Sequence, residues 1–181
     1  MEIVEGIADI EDVTEVLERI DSVAANHELT VQAFDARYVA DDSHLRRAVD
    51  LATRAIERGE EIADDTGVEI LLYGAGRRQI NRALEMGVSP GECPVAVVVV
   101  DCDEHEWSGD PTGEKPRPTT ENERLAAAEI EGLLESAETL SDPADDTLSE
   151  YFDISDRELA ATEGTISDLV RERVALLVVE R

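Results

Sequence analysis

The chain has 181 residues, 42% of them hydrophobic but only 3% aromatic, so its core has to be built from Ala, Val, Leu and Ile. A chain of this length buries roughly 70% of its unfolded surface and can fold without disulfides or a metal. The 44 acidic and 16 basic residues leave a net charge of -28.

No apolar stretch reaches the roughly 18–20 residues of a membrane span. The opening MEIVEGIADIEDV has neither the basic start nor the apolar run of a signal peptide, and two cysteines make no disulfide framework. The expectation is a cytoplasmic, single-domain protein covering residues 1–181. Fifteen arginines stand against one lysine, Lys115. Many acids, few lysines and few aromatics resemble the proteome of a salt-adapted archaeon that keeps molar salt in its cytoplasm. At such salt the Debye length is about 3 Å and self-repulsion is screened, so most of the acid reads as solvated surface.

In chain order, residues 2–8 predict a first strand. Asp9 and Asp12 then signal a helix to about residue 26, with Val13, Val16, Leu17, Ile20 and Val23 at helical spacing. Residues 29–39 alternate and predict a strand. Asp41, Asp42 or Ser43 caps a helix running to about 64, with a stripe of Leu45, Ala48, Val49, Ala52, Ala55 and Ile56. VEILLYG, 68–74, reads as a central strand, and 76–86 as a short helix stopped by Gly87. PVAVVVV, 94–100, predicts another central strand. Residues 101–120, with three prolines, two glycines and no periodicity, read as a mobile loop or insertion. Thr120 with Glu123 forms a capping-box pattern for a helix to about 138. Ser155 with Glu158, and Thr165 with Asp168, repeat it for two more helices, the last over about 166–179. The order β-α-β-α-β-α-β followed by helices implies an α/β or α+β fold, a sheet of about four strands covered by helices.

The segment 68–86 is the most informative chemically. Read as strand, turn and helix, its Gly74-Ala75-Gly76 turn would let the backbone approach a ligand beside free helix N–H groups. A dinucleotide fingerprint would place glycine where Gln79 stands, and no phosphate-loop lysine follows. The fifteen residues between Glu69 and Glu85 hold no acid but three arginines, Arg77, Arg78 and Arg82. On that reading two of them crowd a helix N-terminus at some cost, which suggests an anion is expected there. Arg47, Arg54 and Arg58, with Arg46 beside them, form a second stripe that reads as a salt-bridged solvent face.

Metal and nucleophile chemistry look poor. Cys93, Cys102, Asp103 and His105 do not complete a tetrahedral site. His27 and His44 have no partner motif, and no serine sits in a nucleophile elbow. No cofactor is implied. In the last helix Ile166, Leu169, Val170, Val174 and Leu177 form one stripe, yet VALLVV, 174–179, is apolar nearly all round. That helix is either buried in its own core or meets another protein on one side.

GVEILLYGAGRRQINRALEMGVSP, 67–90, and RERVALL, 171–177, resemble the KEOPS-complex subunit family of the PRPK-binding protein, TPRKB. The resemblance implies a non-catalytic subunit that docks on the small kinase-like ATPase subunit, which in turn holds the threonylcarbamoyl-transferase subunit. It also implies recruitment of tRNA through its single-stranded 3′ CCA end for threonylcarbamoyl-adenosine modification. Carried over by position, Arg77, Arg78 and Arg82, with Gly74, Gly76 and Tyr73, would form the RNA-binding surface. Ile166, Leu169, Val170, Arg173 and Leu177 would form part of the kinase-docking surface. Arginines on phosphates and bases stacked on guanidinium or Tyr73 are physically suited to a single-stranded end. The alternatives are a small nucleotide-binding enzyme using the Gly74–Gly76 turn, or a homodimeric binding protein.

Overall fold

A computed structural model of the chain describes residues 1–102, 118–141 and 143–178. Most of the expected 101–120 loop, with Asp103 and His105, lies outside them. A four-stranded antiparallel sheet runs in the order β2-β3-β1-β4, formed by β1 (Glu2–Ile10), β2 (Thr30–Asp35), β3 (Gly91–Val100) and the two-residue β4 (Glu135–Ser136). The central pair is long: β1 and β3 stay in register from Glu2 opposite Val99 to Ile10 opposite Gly91.

β3 is a near-continuous valine run because both of its faces are covered. Val95, Val97 and Val99 pack with Val4, Ala8, Ile10, Val31 and Ala33 under α1 (Val13–His27) and α5 (Glu121–Glu131). Ala96, Val98 and Val100 face the larger core with Phe34. That side is built from α2 (Asp42–Glu57), α3 (Thr66–Ala75), α6 (Asp145–Tyr151) and α8 (Ile166–Leu176). The short α4 (Ile80–Ala83) and α7 (Asp156–Ala161) complete the helices. None is long and apolar enough to cross a membrane among the described residues.

The mixed α/β class and the four-stranded, helix-covered sheet are as expected, but one strand is not where the pattern placed it. Residues 68–74 are helix. Asp65 accepts from Val68 N at 2.9 Å as the N-cap, and Gly76 closes the helix at φ +59°. Ile70, Leu71, Leu72, Tyr73, Gly74 and Ala75 are all buried. A helix buried all round shows no 3.6-residue stripe and cannot be told from a central strand by pattern. The remaining strand is β4, inside the segment expected to continue α5. It pairs Ser136 and Glu135 with Gly6 and Ile7. The expected 76–86 helix shortens to α4 and a 3-10 turn at Leu84–Met86.

Side-chain caps set most helix starts. The expected capping boxes form at Thr120 with Glu123 and at Thr165 with Asp168, and Ser155 caps α7. Glu123 is buried, and its Oε2 lies 2.7 Å from the Met1 backbone nitrogen and 2.8 Å from Thr120 N; Asp101 N donates to Oε1 at 3.0 Å. Burial pushes this carboxyl up, but the Met1 amine and the two N–H groups outweigh it and hold it below its ordinary value.

His44 is fully buried at the start of α2. Its Nδ1 accepts from Ala40 N at 3.2 Å and its Nε2 donates to Gly74 O at 2.8 Å, which requires the neutral Nε2–H tautomer. Burial lowers its pKa from 6.5 to about 4, against the raising effect of the Gly74 carbonyl. Because the folded pKa is depressed, the stabilisation is complete above 6.5 and is lost as pH falls through about 4. The span corresponds to about 3 kcal/mol. Chemical denaturation of His44→Gln beside the wild type across that window should show the stability gap closing towards acid pH. A gap that stays constant would mean the imidazole does not titrate out of this site.

Candidate functional site

The three arginines of the acid-free window follow the end of α3 and do not begin a helix after a strand. Gly76 N and Arg77 N donate back to Tyr73 O and Leu72 O at 3.0 and 3.1 Å, so the two glycines serve helix packing and closure. A Cβ at Gly74 would lie 3.0 Å from Phe34 Cε1, and Gly74 O is the acceptor for His44. Gly76 supplies the left-handed residue that ends the helix. No strand-turn-helix phosphate cradle exists here, which removes the basis of the nucleotide-enzyme alternative. The electrostatic expectation also reverses. Arg77 and Arg78 sit at the carbonyl end of α3, where its dipole favours cations.

The arginines divide by role. Arg77 is only 28% exposed; its Nη2 donates to Tyr151 O and pairs with Asp153 Oδ2 at 3.1 Å, and its guanidinium lies 5.7 Å from the Tyr151 ring centroid. It ties the end of α3 to α6. Arg78 is exposed, and its charge acts on buried Glu69 to favour the carboxylate. Arg82 is 59% exposed and meets Glu85 at 3.3 Å, while its carbonyl accepts from Tyr151 Oη. Tyr73 is 3% exposed within the core, so its ring presents no stacking face in this conformation.

Two residues that the sequence reading passed over complete the surface. Ala83 and Met86 take the buried side of the α4 region, which turns Ile80 and Leu84 outward at 45% and 54% exposure. Arg78, Ile80, Arg82 and Leu84 are therefore all exposed, which makes residues 78–84 a ledge along the chain that carries both cations and aliphatic side chains. Spacing carried no signal for this, since Ile80 and Ala83 are three apart and would share a helical face. Beneath the ledge, Glu69 Oε2 accepts from Ile62 N and Ala63 N at 3.0 and 2.8 Å and pins the α2–α3 connection. Burial holds its pKa above the ordinary value, against those two hydrogen bonds.

The C-terminal helix resolves in favour of its own core. Ile166, Leu169, Val170, Val174 and Leu177 are all buried, packed in the cluster that contains Phe34 and Leu72. Arg173 donates from Nε to Phe152 O at 3.3 Å and pairs with Glu158 at 2.6 Å, fastening α8 to α7 and the end of α6. The five apolar side chains are thus covered in this conformation.

Other candidates carry structural roles. Arg46 pairs with Asp42 at 2.7 Å, four residues earlier. Cys93 and Cys102 are free thiols, Cys93 raised by burial, and no three potential metal ligands cluster among the described residues. His27 has partners distant in sequence, Asn122 at 3.1 Å and Glu129 at 2.9 Å, joining α1 to α5; the Glu129 hydrogen bond, then that of Asn122, raises its pKa.

With this geometry in place, comparison with known families gives a match to the family model described as kinase binding protein CGI-121, over residues 7–177. No curated protein matches the chain.

Because Arg77 is anchored and Arg78 is not, the two should part on substitution. Arg77→Ala should cost about 1–3 kcal/mol, leaving Tyr151 O without its charged donor. Arg78→Ala should stay within about 0.5 kcal/mol of the wild type. Leu169→Glu should unfold the chain outright. Urea titrations of the three variants check this, and equal losses for the arginines would contradict the division.

Proposed function

The chain belongs to the CGI-121 family of kinase-binding proteins, and we propose that it is the non-catalytic KEOPS subunit that recruits tRNA by its 3′ CCA end while docked on the kinase-like ATPase subunit. The observation that carries the RNA part is the exposed ledge of Arg78, Ile80, Arg82 and Leu84 within the acid-free stretch 70–84. Guanidinium groups bind phosphate oxygens and stack on bases, and aliphatic side chains pack against the base faces that a single strand leaves open.

The net charge of -28 constrains the mechanism. Long-range steering towards RNA is absent, so recognition relies on a local positive island. Counterion release also weakens as salt rises. In a salt-rich cytoplasm, short-range stacking and hydrogen bonding therefore take the larger share of the affinity. Arg77 contributes by fixing where α3 ends, and so where the ledge stands. The subunit supplies position, and the threonylcarbamoyl transfer belongs to its partners in the assembly.

Filter or anisotropy binding of the purified chain to one tRNA in molar KCl, with and without the CCA end, tests the reading. Removal of CCA should weaken binding at least about tenfold, or about 1.4 kcal/mol. Arg78→Glu with Arg82→Glu should do the same to intact tRNA while leaving the melting temperature and kinase pull-down unchanged. Equal binding to both tRNAs, or an unaffected double variant, would move the RNA site away from this ledge.

A further inference from the structure

Beside β2 the surface opens into a groove of about 600 Å³. β2 ends the sheet, and its strand neighbour among the described residues is β3. Residues 29–33 run along the groove, with Val13 and Leu17 of α1 on one side and Val68 and Leu71 of α3 on the other. α1 and α3 cover opposite faces of the sheet, so the gap between them at its edge is as thick as the sheet layer itself. Such a gap suits one more extended chain.

The lining specifies the chemistry of the occupant. Leu17 and Leu84 stand at 40% and 54% exposure, large aliphatic surface left uncovered at the lips. Every charged residue lining the groove is an acid: Asp21, Asp64 and Asp65. A phosphate backbone would meet three carboxylates and no cation, which separates this groove from the arginine ledge next to it. Gln32 Nε2 donates to Ala33 O at 2.8 Å, so a side-chain amide already covers one main-chain acceptor of the strand. Natural edge strands are commonly blunted against unwanted pairing. An incoming peptide N–H would replace that amide.

We propose that the groove binds an extended peptide segment of a protein partner, with apolar side chains alternating with Lys or Arg, as an added strand along β2. Main-chain hydrogen bonds would supply the pairing, and pockets for alternate side chains the selectivity. The groove shares Leu84 with the ledge but none of its arginines, so loss of peptide binding would leave the arginine contacts of the RNA reading untouched.

The test uses the full chain in molar KCl and a labelled peptide of alternating Val and Arg, followed by anisotropy. Two further probes are the same peptide N-methylated at alternate amides and its Val-Glu counterpart. Saturable binding should fall about tenfold on N-methylation, and by a similar factor with Leu17→Glu. Asp64→Arg, an exposed change, should also weaken it, and the Val-Glu peptide should not bind. Leu17→Glu is informative because attraction by charge alone would strengthen with an added acid. Equal affinity for the N-methylated peptide, tighter binding by Leu17→Glu, or no saturable binding would overturn the proposal. Displacement of the peptide by CCA-ended tRNA that persists in the Arg78→Glu, Arg82→Glu variant would assign the groove to RNA. Self-association abolished by Leu17→Glu, without peptide binding, would assign it to a second copy.

Discussion

The hydrogen bond from the neutral imidazole of His44 to the carbonyl of Gly74 holds together the half of the molecule that carries the candidate site. It joins the first turn of α2 to the last turn of α3 inside the larger core, at 2.8 Å and out of contact with water. Gly74 lets α3 approach Phe34 as closely as it does, and Gly76 stops the helix against α8, where a Cβ would sit 3.5 Å from Arg173 O. The position of the arginines follows from these contacts. Were α3 rotated or extended by a residue, the ledge would turn inward.

Ending a buried helix with cations is favourable in itself, since Arg77 and Arg78 meet the negative end of the α3 dipole. The two neighbours then diverge because of what lies beside them. Arg77 finds Tyr151 O and Asp153 and becomes part of the scaffold. Arg78, one residue on, points to solvent. A cluster of like residues in sequence is therefore two different things in space, a fastener and a contact surface.

The acidity of the chain is mostly a surface property, but the buried carboxylates shape the fold. Glu123 gathers the Met1 nitrogen and the Asp101 and Thr120 N–H groups, Glu69 holds the backbone of the α2–α3 connection, and Asp35 takes the Arg37 guanidinium on both oxygens. Glu123 and Asp35 receive N–H donors on both oxygens, the condition under which burial of a carboxylate is tolerable. Glu69 receives them on Oε2 alone: its Oε1 is buried without a partner among the described residues, and burial raises its pKa. The α1–α5 face of the sheet is closed over β3 by aliphatic packing, while the few aromatic residues gather on the other face, where Phe34, Tyr73, Tyr151 and Phe152 join the larger core.

By itself the sequence determined the features that depend on local chemistry. The capping boxes at Thr120 and Thr165, the valine strand, the amphipathic α1 and α2, and the acid-free arginine window are all set by residues close in the chain. Local pattern also carried the family resemblance, in 67–90 and 171–177. Tertiary structure decided whatever depends on all-round burial. Residues 68–74 are helix because packing on Phe34, α2 and α8 encloses every side, and full enclosure erases the periodicity that distinguishes helix from strand. The same enclosure settled the fate of Ile166, Leu169, Val170, Val174 and Leu177, whose stripe is equally apolar whether it faces a core or a partner. It also withdrew Tyr73 from the surface and turned Ile80 and Leu84 outward. Hydrophobicity specifies that a residue leaves water, and only the three-dimensional arrangement specifies which neighbours receive it.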